Sequence, residues 1–150
     1  MENPNSLFSV SAAQVKELWS RTYNREGKPD WSHIFPYYHD EIVFKDSIQE
    51  IRGITAFKAL CTRLTGRCRQ LQMNIPSLMK EHDSIFMQWE MTMIFKRFPR
   101  STIYGATKLT LHENGQIIGQ RDYYDIWGDI FDNIPLVNKP YRWFMKKYFG

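Results

Sequence analysis

Apolar residues recur at helical spacing in the first part of the chain and at strand-like spacing in the second. Ser11 is typical of a helix N-cap, and the apolar positions after it predict a first helix over about 12–24. A shorter helix is predicted after Asp30, and a third runs from Ile54 to about Arg67. The apolar positions of the first helix are Val15, Leu18, Trp19 and Tyr23.

Stretches rich in β-branched and aromatic residues follow the third helix. They predict four strands, and an earlier run, 41–46, predicts one more. Between the last two strands, Asn114-Gly115 is typical of a tight hairpin, because both residues accept positive φ values. The end of the chain predicts a terminal helix, with Asn138 as its cap and Pro140 in its first turn. The four later strands are 70–79, 85–98, 102–112 and 116–126.

The order of these elements predicts an α+β fold. Helices come first and an antiparallel meander follows, so the helices are expected to cover one face of a curved sheet, with a C-terminal helix after it. The 150 residues have the length of one domain, here 1–150 with a flexible N-terminus over 1–10. The interface between such helices and a curved sheet commonly encloses an apolar pocket with a few convergent polar groups.

Composition and charge narrow the class of protein. Hydrophobic residues make up 43% of the chain, so a packed core can offset the entropy of ordering the backbone. Because no apolar run approaches the ~20 residues that span a bilayer, and the first residues lack a signal peptide, we expect a cytoplasmic location without stable membrane insertion. The net charge of +4 permits nucleic acid as a partner without arguing for it, and none is expected.

The two cysteines are expected to be free thiols. Cys61 and Cys68 fall on or next to one predicted helix, where seven residues separate them by about 10 Å along the axis. That separation exceeds the Cα distance that a disulfide tolerates.

One stretch of the chain resembles a known superfamily. Within 30–46 a short helix ends in an aromatic residue, an acidic turn follows, and a strand ends in hydrophobe-x-Asp; Gly53 then opens the next helix. This pattern resembles nuclear transport factor 2-like proteins, in their SnoaL-like branch, over about 11–150. The resemblance implies a cone-shaped, mainly antiparallel sheet of the cystatin-like roll type, and a homodimer. In ketosteroid isomerases of this superfamily the Asp at that strand end is the general base, which implies that role for Asp46.

The last strand carries a second resemblance. Residues 119–125, Gly-Gln-Arg-Asp-Tyr-Tyr-Asp, are similar to the Trp-Arg-Asp-Tyr-Phe-Asp strand of limonene epoxide hydrolases. The Asp after the Arg activates water in that family, which implies the same role for Asp122. The partner residues of both families are absent: Trp19 and Thr107 stand where ketosteroid isomerases carry their oxyanion pair, and 88–90 lack the Arg of epoxide hydrolases. Neither mechanism therefore transfers intact.

Two carboxylates are the candidate catalytic groups. Side chains alternate across a strand, so Gln120, Asp122 and Tyr124 lie on one face of the last strand. Phe44 and Asp46 likewise lie on one face of the first strand. If both acids face one apolar cavity, burial and mutual repulsion raise a carboxyl pKa and provide one acid and one base. The structural alternative is that Asp46 caps the following turn and Asp122 hydrogen-bonds Trp19 or Tyr124.

Large aromatic residues on inward faces are the predicted pocket walls, with plain core packing as the simpler interpretation of each. An indole N–H or a tyrosine hydroxyl among them can also donate to a carboxylate. The register of the long strand leaves open whether Trp89 or Glu90 faces inward. The predicted walls are Trp19, Tyr23, Phe44, Trp89 and Tyr124.

Two basic stretches have simpler structural interpretations. Arg63, Arg67 and Arg69 are expected to form a solvated helix end that interacts with the helix dipole. The tail 139–149 mixes cations with aromatics, which suits docking on a membrane, on nucleic acid or on a second subunit. We expect it instead to pack on its own domain, with its aromatic residues Trp143 and Phe144 closing the pocket mouth.

The expected function is binding of a small apolar, oxygen-bearing molecule. Asp122 and Asp46 would carry isomerase, cyclase or epoxide hydrolase-like chemistry without a metal or an organic cofactor. The alternative is a non-catalytic module that binds a ligand or another protein through the same fold, which the missing partner residues favour. The histidines and acids at 33, 39, 40 and 41 lack the spacing of a metal site.

Overall fold

The polypeptide forms a curved sheet, with helices that precede its first strand, connect two of its strands and follow its last strand. The structure, a computed structural model, describes residues 10–97 and 99–150. Its helices are α1 (Ala12–Ser20), a short 3-10 helix (Ser32–Tyr37), α2 (Ile54–Arg67) and α3 (Asn138–Phe149). Its strands are β1 (Tyr38–Lys45), β2 (Glu50–Arg52), β3 (Cys68–Glu81), β4 (Ser84–Phe95), β5 (Arg100–Leu111) and β6 (Ile117–Tyr124). A π-helical turn (Ile126–Ile130) and a 3-10 turn (Phe131–Asn133) connect β6 to α3.

The six strands make one unclosed sheet in the order β2-β1-β6-β5-β4-β3. Neighbouring strands are antiparallel except β1 and β6, which run parallel. Helices α1 and α2 both contact the sheet, α1 at β3 and α2 at β1 and β3. The predicted α+β fold, with N-terminal helices on a curved, mainly antiparallel sheet and a C-terminal helix, is confirmed.

Helix α1 begins as predicted but ends earlier. At its start the Ser11 hydroxyl accepts the Gln14 N–H at 3.3 Å, while the Gln14 side chain accepts the Ser11 N–H at 2.9 Å. The helix stops at Ser20 instead of about residue 24. The chain then turns back on itself, because the side chain of Asn24 accepts the N–H groups of Glu26 and Lys28, both at 3.0 Å. A local side-chain turn thus replaces the last predicted helical turn.

Helix α2 has the predicted bounds. Gly53 precedes it with φ +85°, a conformation that residues with a Cβ rarely adopt. Phe57 and Cys61 are buried on its inner face. Cys61 and Cys68 are both buried and free, which confirms the expected thiols.

The hairpin between β5 and β6 forms where Asn114-Gly115 predicted it. Gly115 has φ +85°, and its N–H donates to the His112 carbonyl at 2.8 Å. Val10 is buried and donates its N–H to the Gly115 carbonyl at 3.4 Å. The rest of the predicted flexible segment, 1–9, lies outside the described residues.

The end of β4 and the edge strand β2 differ from the prediction. Strand β4 ends at Phe95, whereas the prediction continued to Phe98, a residue outside the described part of the chain. Strand β2 was not predicted, because three residues are too few to show an alternating pattern.

Helix α3 does not close the mouth of a cavity, so the expectation for Trp143 and Phe144 is wrong. Their side chains are 62% and 48% exposed. The helix is anchored elsewhere: Tyr141 stacks on Trp127 with ring centroids 5.3 Å apart, and Arg142 forms an ion pair with Asp132. In the described residues, no helix combines the length and apolar character that crossing a membrane requires.

Candidate functional site

A cavity of about 510 Å³ lies between the inner face of the sheet and the helices. Its walls are mostly apolar and include four methionines, Met73, Met87, Met91 and Met93. Both candidate acids, Asp46 and Asp122, border it. The predicted aromatic walls that also border it are Trp19, Phe44, Trp89 and Tyr124.

Tyr23 is the exception among the predicted wall residues. It lies beyond the end of α1, in a segment that bridges to Pro29, and it borders a separate cleft at β3. There its hydroxyl accepts the Leu71 N–H at 2.9 Å, while its side chain is 37% exposed. The prediction placed Tyr23 on the inner face because it extended the helical spacing past the point where the helix ends.

Strand β4 directs Trp89 inward and Glu90 outward. Trp89 is 3% exposed and borders the cavity. Glu90 lies opposite Tyr104 of the neighbouring strand β5. Its carboxylate accepts a hydrogen bond from the Asn74 side-chain amide at 3.4 Å in an exposed position. The register that the sequence left open is therefore the one with the indole in the cavity wall.

A chain of hydrogen bonds ends on the carboxylate of Asp122. The Thr107 hydroxyl donates to Asp122 Oδ1 at 2.6 Å. The Gln120 amide donates to Oδ1 at 3.0 Å and to Oδ2 at 3.3 Å. Behind these donors, the Trp89 indole donates to the Thr107 oxygen at 2.8 Å and the Tyr38 hydroxyl donates to Gln120 Oε1 at 2.5 Å.

The hydrogen bonds from Trp89 and Tyr38 determine which groups Thr107 and Gln120 present to Asp122. Because the Trp89 indole N–H is only a donor, the Thr107 oxygen accepts there and its single proton is left for Asp122. Because Gln120 Oε1 accepts from Tyr38, its NH₂ faces Asp122. Both neighbours thus present donors to one carboxylate, in a wall that is otherwise mainly apolar.

The sequence model of the SnoaL-like domain matches residues 19–120, which include α2, Phe44, Asp46 and the Thr107–Gln120 part of this network. The chain belongs to the SnoaL-like domain family. This confirms the predicted nuclear transport factor 2-like relationship. No curated protein matches the sequence.

Solved structures share the fold of this SnoaL-like domain at low identity. An M. tuberculosis LEH-like epoxide hydrolase is 20% identical, with a TM-score of 0.64 over 81% of this chain and 87% of its own. An NTF2-like protein of unknown function from Exiguobacterium sp. 255-15 is 17% identical, with a TM-score of 0.61 over 73% of this chain and 93% of its own. A protein with a ketosteroid isomerase-like fold from Catenulispora acidiphila, in complex with trimethylamine, is 14% identical, with a TM-score of 0.61 over 79% of this chain and 88% of its own.

Burial dominates the electrostatics of Asp122 in this SnoaL-like domain. It raises the pKa of the Asp122 carboxyl from 3.8 to about 6, because the ionised form loses water contacts. The hydrogen bonds from Thr107 and Gln120 act in the opposite direction and hold the pKa lower than burial alone would place it. The charge of Asp46 raises it, and that of Arg121 lowers it. Asp122 can therefore exchange a proton near neutral pH.

Asp46 stands next to Asp122 on the sheet but is held differently. It follows Lys45, which pairs with Arg121 in the parallel register of β1 and β6. Its Oδ1 accepts the N–H groups of the two residues that follow Ser47, both at 2.8 Å, so it caps that turn, as the structural alternative proposed. Its Oδ2 accepts the Tyr124 hydroxyl at 3.2 Å.

The cavity wall also contains a poorly reactive thiol and an unpaired donor. Burial, with a smaller contribution from the Asp122 charge, raises the pKa of the Cys61 thiol to about 12, so the thiol stays protonated. The indole N–H of Trp31 is buried and has no acceptor among the described residues. Within 10–97 and 99–150, no three His, Cys, Asp or Glu side chains gather to hold a metal ion.

Sequence reasoning missed the partners of Asp122. It suggested Trp19 or Tyr124, whereas the structure supplies Thr107 and Gln120. Gln120 had a usable signal, since strand alternation already placed it on the face of Asp122. Tyr38 had none, because a register shift between Tyr38 and Val43 breaks the alternation along β1.

Proposed function

We propose that this SnoaL-like domain binds a small, mainly apolar, oxygen-bearing molecule in the cavity and uses Asp122 as a general base and acid on it. The reaction class is isomerisation, cyclisation or epoxide hydrolysis, each of which needs a positioned carboxylate with a raised pKa. The observation that carries the proposal is the placement of Asp122 in the cavity wall with its pKa raised to about 6.

The hydrogen bonds of Asp122 favour one oxygen for proton transfer. Oδ1 accepts both of the shorter bonds, from Thr107 and Gln120. In the described part of the chain, Oδ2 accepts only the 3.3 Å bond from the same Gln120 amide. Oδ2 is thus the oxygen with capacity to take a proton from a carbon beside a carbonyl or from an attacking water, and to return it later.

Other wall residues have supporting roles in the proposal. Asp46 adds negative charge that favours protonation of Asp122, and its bond from Tyr124 keeps that hydroxyl oriented. The buried indole N–H of Trp31 has no acceptor among the described residues, and a buried donor without a partner typically costs about 1–3 kcal/mol. A ligand oxygen beside Trp31 would remove that cost, which fits an oxygen-bearing substrate.

The pH dependence of turnover tests the proposal. Purified protein is screened with a panel of apolar epoxides, followed by diol formation, and of apolar ketones in D₂O, followed by exchange of the α-proton. With Asp122 as the base, kcat/KM is expected to be constant above about pH 7 and to fall about tenfold per pH unit below about pH 6. The exposed acid Asp40 offers a control, and the Asp40→Asn variant should keep the same profile.

Two outcomes would count against acid–base chemistry. A substrate whose turnover shows no inflection near pH 6 would require another base. Panel compounds that bind in the cavity without any being converted would favour the non-catalytic ligand-binding module.

We also propose that two copies pair through the outer face of the sheet. Phe86, Tyr104 and Tyr123 lie on neighbouring strands β4, β5 and β6, and their side chains are 42%, 58% and 48% exposed. Exposed aromatic residues across three adjacent strands are a surface that a partner can bury. The cavity faces the other side of the sheet and stays accessible in such a dimer.

Sedimentation velocity tests the dimer. The double variant Tyr104→Glu/Tyr123→Glu is expected to sediment as a monomer at concentrations where the wild type is a dimer, because two charges would be buried without partners. Trp143→Glu, on the exposed surface of α3, is the control and should leave the dimer intact. A wild-type monomer, or a dimer lost only in the control, would refute this interface.

A further inference from the structure

Two arginines of α2 border the cavity in addition to being exposed at the helix end, as the sequence predicted. Arg63 and Arg67 are four residues apart, so their side chains lie above one another on one face of the helix. Both are exposed and both line the cavity with Leu60 and Leu64 of the same helix. They therefore stand where the apolar interior meets solvent.

Across residues 10–97 and 99–150, neither guanidinium forms an ion pair with a carboxylate. The ion pairs of the described residues involve Lys28, Lys45, Arg52 and Arg142, and none includes Arg63 or Arg67. Arg69 differs from them, since its guanidinium donates to the Lys96 carbonyl at 3.1 Å and it does not line the cavity. Two cations at the edge of one apolar cavity thus keep their donors available.

We propose that the molecule bound in the cavity is an apolar anion, whose carboxylate or similar group is held by Arg63 and Arg67 while its apolar body fills the cavity. This inference rests on the proposed function and names its substrate class. Guanidinium groups bind planar anions with two parallel hydrogen bonds, and such charge-assisted bonds are stronger than neutral ones. The apolar walls exclude water from the rest of the molecule.

The length of α2 separates the anionic end from the acid–base group. Cys61 also borders the cavity, and it is close enough to Asp122 for the Asp122 charge to raise the pKa of the Cys61 thiol. Arg67 lies six residues further on, about 9 Å along the helix axis. A substrate bound this way would place its anionic group at the rim and its reacting carbon or epoxide near Asp122, which keeps the two negative charges apart.

A matched pair of fluorescent probes tests the inference without knowledge of the substrate. 8-Anilinonaphthalene-1-sulfonate is an apolar anion, and N-phenyl-1-naphthylamine has the same skeleton without the sulfonate. Binding in the cavity is followed by NMR through the indole N–H of Trp89, which is buried in the wall, while the indole N–H of exposed Trp143 reports binding at α3. The dissociation constant is taken from the Trp89 signal.

The variants Arg63→Gln and Arg67→Gln are each expected to weaken sulfonate binding about three- to tenfold, and the double variant about thirtyfold. The neutral probe should bind wild type and variants alike, and Arg69→Gln should change neither probe. Equal loss of both probes, a comparable loss in Arg69→Gln, or full sulfonate affinity in the double variant would overturn the inference while the cavity stayed a binding site. If neither probe shifted the Trp89 signal, the proposed function would fail, and the inference with it.

Discussion

The Asp122→Asn variant is expected to lose at least about a hundredfold in kcat and, at the same time, to be more stable than the wild type above pH 7. An asparagine cannot take up the proton, so the general-base contribution disappears. The amide oxygen can still accept the bonds from Thr107 and Gln120, so the wall is expected to keep its geometry. Loss of activity with gain of stability distinguishes a functional carboxylate from a structural one.

The stability gain follows from the raised pKa of Asp122. The folded state binds the proton more tightly, with a pKa of about 6, than an unfolded chain with a pKa near 3.8. Ionised Asp122 therefore destabilises the folded protein, by about 2–3 kcal/mol once the pH is well above 6. The destabilisation is absent below about pH 3, where Asp122 is protonated in both states, and it develops as the pH rises through 3.8 to about 6.

Urea unfolding at pH 4 and pH 8 measures this difference. Asp122→Asn should exceed the wild type's free energy of unfolding by less than about 1 kcal/mol at pH 4 and by about 2–3 kcal/mol at pH 8. Asp40→Asn, at an exposed position, should follow the wild type at both pH values. An Asp122→Asn protein less stable than wild type at pH 8 would show that the carboxylate stabilises the fold.

The Gly105→Ala variant is expected to lose about 3 kcal/mol of the free energy of unfolding. A Cβ at this position would overlap the six-membered ring of the Trp89 indole and would lie 2.8 Å from the Tyr123 carbonyl oxygen. Trp89 cannot move aside cheaply, because it is buried and its indole N–H is bonded to Thr107. Overpacking in such a place typically costs about 1–3 kcal/mol.

Gly66→Ala is the matched control for Gly105→Ala. Gly66 is exposed within α2, and a Cβ there would meet no atom within 4 Å. The substitution should therefore add about 0.5–1 kcal/mol of stability through helix propensity alone. The two variants are compared by urea unfolding at constant pH. If Gly105→Ala were as stable as the wild type, Trp89 would not be packed against β5 as the structure has it.

The sequence predicted the fold well because most of its signals are local. The bounds of α2 follow from Gly53 and a helical pattern, and the last hairpin follows from Asn114-Gly115. The positions of Asp46 and Asp122 in one wall follow from strand alternation together with the family resemblance. These features depend on a few neighbouring residues each.

The remaining features depend on contacts between distant residues. The partners of Asp122 are Thr107, on the adjacent strand, and Gln120, whose amide is turned by Tyr38 from yet another strand. The parallel pairing of β1 with β6 and the inward turn of Trp89 are likewise set by register. Sequence periodicity does not define register, so these details could not be predicted from the sequence.

The position of Arg63 and Arg67 relative to the cavity was also not predictable from the sequence. Their position near the end of α2 correctly indicated exposed cations that suit the helix dipole. Only the packing of α2 on the sheet shows that the same side chains border the cavity.

The pKa of the Asp122 carboxyl itself tests the proposed acid–base role most directly. A ¹³C NMR titration of the aspartate side chains, with Asp122→Asn to assign the signal, measures it in the folded protein. A midpoint near pH 6 is expected, since burial raises the pKa more than the hydrogen bonds from Thr107 and Gln120 lower it. A midpoint at or below 3.8 would mean that the carboxylate is solvated or fully stabilised by its donors, and the proposed acid–base role would then have no physical basis.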